Sequence, residues 1–515
     1  MNNSIIFGKY LVAKIQDKHS AEVLHDSAIY QKDGVVIEIG NKDEIFRKYP
    51  NVPIIGSSNS LVMPGLINAH DHLGMSGIQM GIPYLPLELN GLARFGSRML
   101  DPYLEHSFAA CLMLESGTTA IQMMYTPGRG ETPIDEISTE KVIRAYMDAG
   151  MRISYAPNLQ DQNSLVAGPR GGELEFSNSL PENLKNQFSI FMNKGYWPID
   201  ELLGASEDLF KKYHRNHNGR LTINTAPTNV HRCTDELLMG LKALSNKYGS
   251  SCHIHVLETI YQKYFALNRY GCSAVKHLSD LGFLQPEIVC GHSVWVTEDD
   301  IGLLSESDSM VCHNASSNLR VFSGIAPISE MLQSGIQIAI GTDNMTINDD
   351  KDMFQEMRLA LKLHRIPGVE FDPITPYQIF AMGTQNGARA LGIAEQVGSI
   401  EVGKLADIAI LKTNRLETPF LHEDASIVDV LVHRVKEQDV QTVLVNGDLV
   451  VKDGETCKID KTVLFNEIKS ALSLPLTSTQ LEHQALAKSV MPFLKNFYAG
   501  SYSQDFDTFS KYNAV

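Results

Sequence analysis

Histidines and acidic residues that follow apolar, strand-like segments are the residues of this sequence whose types and spacing suggest chemistry. The segment LVMPGLINAHDH ends with His70 and His72. On a strand, residues two positions apart share a face, so both imidazoles can point at one metal ion. Because imidazole is a common protein ligand for zinc and iron, this pair is the first candidate for a metal site.

Three further segments end in residues of the same kinds. SSCHIHVLE contains His253, His255 and Glu258, and spacing alone leaves either histidine as a ligand. His292 ends EIVCGH, and Asp343 ends IQIAIGTD. A single buried histidine is more often a hydrogen-bonded core residue, but four such strand ends in one chain favour a metal site. Imidazole and carboxylate ligands from separate strands suit zinc or iron(II), with one coordination position open for water.

Eight apolar, β-branched segments provide the strands that must position these residues. They span 61–70, 117–125, 152–159, 221–227, 250–258, 287–295, 309–316 and 336–343. The stretches between them are long enough for helices, and in one of these Met353, Met357 and Leu361 recur at helical spacing. Continuous apolar strands separated by helices indicate a parallel sheet whose outer face is covered. Eight such units predict a closed barrel, whose active sites lie at the C-terminal strand ends.

The two ends of the chain differ from the middle in their sequence pattern. Short strand-like runs fill residues 1–60 and return over 391–460, which predicts one small β-sandwich domain built from both termini. We therefore predict an α/β fold with a (β/α)8 TIM barrel over 61–390. Residues 461–515 are expected to form a helical extension. The long gap from about 160 to 220 predicts an insertion over the barrel mouth.

Five motifs occur in the order PGLINAHDHL, HIHVLET, GHSVW, HNASSNLRVFSGIAP and IGTDN. Together they resemble the amidohydrolase superfamily, and they are closest to its cytosine deaminase, guanine deaminase and chlorohydrolase branch. The resemblance runs from about residue 60 to 390, and GSIEVGKLADIAIL resembles the returning sheet strand of that family. It implies a distorted (β/α)8 barrel with a composite β-sandwich.

The resemblance also implies roles for individual residues. It assigns one divalent metal ion, expected to be zinc with iron(II) as the alternative, to His70, His72, His255 and Asp343. It makes Glu258 the acid that shuttles protons and His292 the residue that orients the attacking water or polarises the substrate. Asp343 would accept the proton of that water. The family places its ligand three residues before the glutamate, which selects His255 over His253.

The residues of the fourth predicted strand bear on the number of metal ions. Binuclear members of the superfamily carry a bridging carboxylated lysine at the end of that strand. Here the segment reads LTINTAPTNV and contains no lysine. We therefore expect a mononuclear site.

These features predict a hydrolase that releases ammonia from an amino-substituted heterocycle of the purine, pterin, pyrimidine or triazine type. Hydrolytic dechlorination and hydrolysis of a C–N or amide bond are alternatives on the same metal site. A catalytically inactive binding protein is a third interpretation, against which the complete set of candidate ligands and acid argues. Candidate substrate contacts near the mouth are Gln79, Tyr84, Arg94, Tyr125, Asn229, His231 and His313. Asn344 stands where many relatives carry a small residue.

Charge and cysteine content limit the partners and the compartment. The chain has 44 basic and 60 acidic residues, a formal net charge of −16, and no basic cluster. This argues against nucleic acid and anionic membranes as partners and leaves a small-molecule substrate. Seven cysteines without a C-x-x-C pair fit a reducing compartment. With no apolar run long enough to span a bilayer, we expect a cytoplasmic protein. The family resemblance favours a homo-oligomer, a dimer or larger.

Overall fold

The structure is a computed structural model, and it describes residues 3–126, 132–162, 165–166, 172–192, 196–365, 368–369 and 372–500. Its strands are β1 (Asn3–Asp17), β2 (Ser20–Lys32), β3 (Val35–Asn41), β4 (Ile54–Pro64), β5 (Leu66–Asp71), β6 (Thr118–Tyr125), β7 (Arg152–Leu159), β8 (Leu221–Ile223), β9 (Ala226–Pro227), β10 (Cys252–Val256), β11 (Ile288–His292), β12 (Met310–His313), β13 (Ile338–Ile340), β14 (Ile408–Lys412), β15 (Val440–Val445), β16 (Asp448–Lys452) and β17 (Glu455–Thr456). Its helices are α1 (Lys42–Lys48), α2 (Leu87–Phe95), α3 (Pro102–Glu115), α4 (Glu136–Ala149), α5 (Gly172–Ser179), α6 (Glu182–Met192), α7 (Ile199–Tyr213), α8 (Asp235–Tyr248), α9 (Ile260–Tyr270), α10 (Ala274–Asp280), α11 (Glu298–Glu306), α12 (Ala315–Arg320), α13 (Ile328–Gln333), α14 (Met353–Leu363), α15 (Pro376–Met382), α16 (Gln385–Ala390), α17 (Asn414–Glu417), α18 (Ile427–Arg434), α19 (Lys461–Ser473) and α20 (Ser478–Gly500).

Two parallel sheets in the middle of the chain close into a barrel. One contains β5 to β8 with β9 beside β7, and the other contains β10 to β13. Isolated parallel bridges join the two sheets, Asp71 with Asp343 at one seam and Asn229 with His255 at the other. Each of the eight predicted segments contains a barrel strand, with β8 and β9 sharing one position. The predicted (β/α)8 barrel is confirmed.

The first predicted barrel strand begins too early. Leu61–Pro64 belong to β4, which pairs with β14 in the sheet of the chain ends. The chain enters the barrel at Gly65, where a Cβ atom would lie 2.2 Å from the Thr119 side chain. The apolar run 61–70 therefore contributes strands to two different sheets. Glycine is needed where the chain passes from one sheet to the other, because a larger residue would collide with Thr119.

The chain ends form a β domain of their own. Eight strands are hydrogen bonded in the order β17-β16-β15-β14-β4-β1-β2-β3, as one continuous sheet. The antiparallel pair of β4 with β14 joins the N-terminal strands to the C-terminal strands. Asn446 and Gly447 both have positive φ, 51° and 71°, which is the conformation of a tight hairpin turn. The expected composite β domain is therefore present.

Some barrel helices, among them α4, begin and end at residues that capping rules predict. Asp135 caps α4 by accepting from Ser138 N, and Gly150 ends it with φ of 81°. Met353, Met357 and Leu361 are all fully buried on α14, as their spacing predicts. These helices cover the outer face of the barrel, which explains why the barrel strands are apolar throughout.

Helices after residue 460 lie beside the loops of the barrel mouth. Leu92 of α2 packs in one cluster with Phe176 of α5 and with Val490 and Leu494 of α20. The predicted insertion supplies α5 and α6, whereas α7 packs against α8 and β8 as a barrel helix. Part of the insertion lies outside the described residues, as do residues 501–515 of the predicted extension. Among the helices that the structure describes, none is long and apolar enough to cross a membrane.

Candidate active site

The predicted metal ligands meet at the C-terminal ends of the barrel strands. Nitrogen atoms of His70, His72 and His255 lie within 4.8 Å of one another, and so do donor atoms of His70, His292 and Asp343. Asp343 Oδ1 is 3.7 Å from His70 Nε2 and 3.5 Å from His72 Nε2. Four separate strand ends thus place five potential donors around one point.

Backbone contacts across the barrel seam set this arrangement. Asp343 N donates to His70 O at 2.7 Å, and His72 N donates to Asp343 O at 2.8 Å. Asp343 and His292 both have left-handed backbone, with φ of 57° and 67°. Residues other than glycine adopt this conformation rarely, and such strain concentrates at functional sites. Gly341 makes room for the cluster, because a Cβ atom there would lie 2.6 Å from His70 Cβ.

Hydrogen bonds to carbonyl groups determine the tautomers of two histidines. His72 Nδ1 donates to Met124 O, and His255 Nδ1 donates to Thr228 O, both at 2.6 Å. Each neutral ring therefore carries its lone pair on Nε2, and these two Nε2 atoms are 3.0 Å apart. Two facing lone pairs repel each other, whereas a cation between them would bind both.

His70 is the most informative residue of the cluster. It is 1% exposed, and neither of its ring nitrogens has a hydrogen-bond partner among the residues that the structure describes. Burial lowers its pKa well below the usual value, and the neighbouring imidazoles of His255 and His72 lower it further. A buried, neutral and unpartnered imidazole is costly unless a ligand completes its bonding. Together with two other neutral imidazoles and one carboxylate, it forms a donor set that fits zinc.

The two histidines of β10 occupy different surroundings. His253 Nε2 donates to Ala390 O at 2.9 Å, and burial lowers the pKa of its ring to about 4. His255 instead contributes its Nε2 to the cluster. Strand spacing puts both imidazoles on one face of the strand. The carbonyl of Ala390, at the end of α16, binds His253, whereas His255 Nε2 remains available to a metal ion.

Glu258 lies next to the cluster in a buried position. Its Oε1 is 3.8 Å from His292 Nδ1, and its side chain is 5% exposed. Burial raises the pKa of Glu258 to about 7; His292 opposes this shift, whereas the charge of Asp343 adds to it. A carboxyl with this pKa is partly protonated at neutral pH, which suits proton transfer in both directions.

The sequence interpretation missed three residues around α12 that hold site side chains. His292 Nδ1 donates to Asn318 Oδ1 at 2.7 Å, and Asn314 Nδ2 lies 3.4 Å from His292 Nε2. Ser317 Oγ donates to Asp343 Oδ2. The available signal was helical spacing, since these polar residues occur at positions i, i+3 and i+4 of the motif HNASSNLR.

A pocket at the mouth contains some of the predicted substrate contacts. Tyr84, Arg94 and Asn344 line it together with Ser317, which links the pocket to Asp343. The remaining candidates make other contacts. Gln79 closes a turn with Ser76, Asn229 accepts from Arg232 N, His231 packs against Phe265, Tyr125 packs against His106, and His313 bonds to His364.

The chain is similar to known proteins over most of its length. The amidohydrolase family matches residues 61–450. The 5-methylthioadenosine/S-adenosylhomocysteine deaminase of Thermodesulfovibrio yellowstonii is 30% identical over 456 residues, which cover 87% of this chain and 93% of that protein. The 5′-deoxyadenosine deaminase of Methanothermobacter thermautotrophicus is 30% identical over 431 residues, covering 82% and 89%.

Solved structures show the same fold. An adenosine deaminase from Xanthomonas campestris with bound zinc superimposes with a TM-score of 0.76 at 22% identity, covering 91% of this chain and 97% of that one. The atrazine chlorohydrolase of Arthrobacter aurescens complexed with zinc has a TM-score of 0.76 at 21% identity, covering 91% and 99%. At these identities the likeness concerns the fold alone.

Proposed function

The chain belongs to the amidohydrolase family, and from this premise we propose that it deaminates an adenine nucleoside modified at the 5′ position. It is a metal-dependent hydrolase of carbon–nitrogen bonds that acts on an amino-substituted heterocycle. Among the heterocycles considered above, the purine nucleosides are favoured because relatives that match more than four-fifths of the chain carry the names of adenosine-type deaminases.

The proposed metal ligands are His70, His72, His255 and Asp343, and the proposed metal ion is zinc. The observation that carries this proposal is His70, whose two ring nitrogens are buried without a hydrogen-bond partner in the described chain. Tautomers set by Met124 O and Thr228 O support it, since they turn two further lone pairs toward the same point. We assign one ion, because the fourth strand position carries no lysine.

A divalent metal ion, when bound, provides Lewis-acid chemistry and lowers the pKa of water toward neutrality. In our proposal Asp343 accepts a proton from the attacking water, and the hydrogen bond from Ser317 orients its carboxylate. His292, held by its hydrogen bond to Asn318, directs the oxygen of the attacking water toward the ring carbon that bears the amino group.

Glu258 completes the proton transfers. In its protonated form it donates to the ring nitrogen beside the reacting carbon, which makes that carbon more electrophilic. The water oxygen bonds to that carbon, Asp343 passes the proton that it took from water to the amino group, and the C–N bond breaks with release of ammonia. The second proton of the water then moves to Glu258, which restores the acid and leaves a carbonyl group on the ring. The pKa of about 7 that burial produces suits a group that must both donate and accept.

The test is ammonia release by zinc-loaded protein, with metal content measured in the same samples. The panel contains adenosine, 5′-methylthioadenosine, 5′-deoxyadenosine, guanine and cytosine, with chloride release from atrazine measured in parallel. We expect ammonia from the adenine nucleosides. Chloride release without ammonia would contradict deamination, and ammonia from guanine or cytosine alone would contradict the nucleoside class.

Two matched variants test the role of Glu258. Glu258→Gln should retain zinc and lose turnover by about 10²–10⁴-fold, the usual contribution of a general acid–base group. Glu356→Gln is the control, because Glu356 is also a buried carboxyl whose pKa burial raises to about 7, but it accepts hydrogen bonds from Ser316. It should retain turnover within about threefold. Equal activity of the two variants would contradict the assignment.

We further propose a cytoplasmic homo-oligomer. All seven cysteines are free thiols, and five of them are buried, as is typical of proteins from reducing compartments. The oligomeric state rests on the family resemblance alone. Light scattering of the zinc-loaded protein should give the mass of a dimer or a larger assembly, and a monomer mass would contradict it.

A further inference from the structure

A fully buried ion pair lies beside the proposed metal ligands and takes no part in the reaction described above. Lys351 Nζ is 2.8 Å from Oδ1 and 2.7 Å from Oδ2 of Asp71, and it also donates to Leu73 O at 2.8 Å. Both charged side chains are 0% exposed. The sequence interpretation missed this pair, since its members are 280 residues apart.

Asp71 stands between the proposed ligands His70 and His72. Its carboxylate is hydrogen bonded to side chains at the seam between β5 and the turn after β13, and not to the two imidazoles. There Asp71 Oδ2 accepts from Asn68 Nδ2 and from Thr342 Oγ1, both at 2.8 Å. Asn68 Oδ1 in turn accepts from Thr342 N at 3.0 Å.

These contacts cross the seam between β5 and the turn after β13. Thr342 immediately precedes the proposed ligand Asp343, and Lys351 precedes α14. The backbone pairing at this seam is short, because Asp71 and Asp343 form only an isolated bridge. Two backbone hydrogen bonds, from Asp343 N to His70 O and from His72 N to Asp343 O, hold the two ligand-bearing segments together, and the side-chain network of Asp71 adds further bonds across the same seam.

We propose that Asp71 and Lys351 are positioning residues that hold the end of β5 against the turn containing Asp343. The pair would keep three proposed ligands, His70, His72 and Asp343, at the spacing that a metal ion requires. This inference rests on the proposed function. A desolvated pair with several hydrogen bonds has a well-defined geometry, because water does not compete for its partners. Residues that orient metal ligands from outside typically change metal affinity by about 10–100-fold.

The test compares two variants that each leave a buried acid without its cation. Lys351→Met removes the ammonium group at similar side-chain length. Arg152→Met is the matched control, because Arg152 and Asp407 form an equally buried pair, 1% and 2% exposed, at the junction of β7 with the β domain. For each protein we would measure the zinc dissociation constant by chelator competition. We would also record the absorption spectrum of the cobalt-substituted protein and the melting temperature of the metal-free protein.

Both variants should melt at lower temperature than the wild type. Only Lys351→Met should weaken zinc binding, by about 10–100-fold, and change the cobalt spectrum. Zinc affinity within threefold of the wild type in Lys351→Met, or an equal loss in Arg152→Met, would overturn this inference while leaving the proposed function intact. A wild-type protein that binds no zinc would overturn the proposed function and this inference with it.

A milder variant covers the case in which Lys351→Met fails to fold. Thr342→Val has nearly the same shape as the wild type and removes the hydroxyl, which donates to Asp71 Oδ2 and accepts from Asn68 Nδ2. It should weaken zinc binding by a few fold and leave the melting temperature of the metal-free protein close to that of the wild type. An unchanged zinc affinity in this variant would also overturn the inference.

Discussion

The barrel mouth and the junction between barrel and β domain both bury polar groups, but they satisfy them differently. At the junction, the Arg152 guanidinium donates to both oxygens of Asp407, at 2.8 and 3.0 Å, and to Gly219 O at 2.7 Å. Asn446 N donates to the same carboxylate at 2.8 Å. At the mouth, both nitrogens of His70 lack a hydrogen-bond partner in the described chain.

The difference separates stability from function. Buried polar groups are almost always paired, because an unpaired one costs free energy of folding. The junction follows this rule, so its network is explained by the fold alone. The mouth departs from it where several lone pairs converge on His70, and this convergence is what indicates a ligand. Substitutions in the two regions test this contrast.

The largest expected effect comes from removing the unpartnered histidine. His70→Ala should lose bound zinc and lower turnover by about 10³-fold or more, because a metal ion provides several kcal/mol of transition-state stabilisation. His253→Ala makes the same truncation at a histidine that is hydrogen bonded to Ala390 O. It should retain zinc. Metal analysis and ammonia release measure both effects.

Two outcomes would contradict the expected difference in zinc binding between these variants. If His253→Ala lost zinc and His70→Ala kept it, the ligand assignment would be wrong. If both variants lost zinc equally, the hydrogen bonding of the two rings would not distinguish a metal ligand from a structural histidine.

The next effect concerns the junction. Arg152→Met should lower the free energy of unfolding by about 3–5 kcal/mol, since it leaves the Asp407 carboxylate buried without its partner. Turnover per folded molecule should remain that of the wild type, because the hydrogen bonds of Arg152 go to Asp407, Gly219 and Asn446 and not to a proposed ligand. Denaturant unfolding and active-site titration measure the two quantities. A loss of turnover in fully folded protein would contradict the separation of stability from function.

The smallest effect is a pH dependence of stability near the mouth. Burial raises the pKa of Glu356 to about 7, above its usual value in an unfolded chain of about 4.3. The protonated carboxyl therefore stabilises the fold fully below about pH 4.3, and this contribution is lost as the pH rises through 7. Between about pH 5 and pH 8 the loss amounts to at most about 3 kcal/mol.

The measurement is the free energy of unfolding of metal-free protein from about pH 5 to pH 8, for the wild type and for Glu356→Gln. The variant should depend less steeply on pH than the wild type. Parallel curves would show that the carboxyl of Glu356 does not take up a proton on folding.

Local sequence rules predict a large part of this protein. Strand periodicity and apolar runs predicted the eight barrel strands, and helical spacing predicted that Met353, Met357 and Leu361 are buried. Strand ends and residue types pointed to His70, His72, His292, Asp343 and one of His253 and His255, and the structure brings the first four together with His255. These predictions succeed because barrel strands all present their C-terminal ends on one side.

Tertiary structure decided what depends on distant partners. The first barrel strand starts after Gly65 because Leu61–Pro64 pair with β14, and the different surroundings of His253 and His255 follow from the backbone of Ala390 and Thr228. The raised pKa of Glu258 and the pairing of Asp71 with Lys351 likewise need burial and contacts across hundreds of residues. Desolvation and hydrogen bonding are properties of a three-dimensional neighbourhood, so no spacing along the chain encodes them.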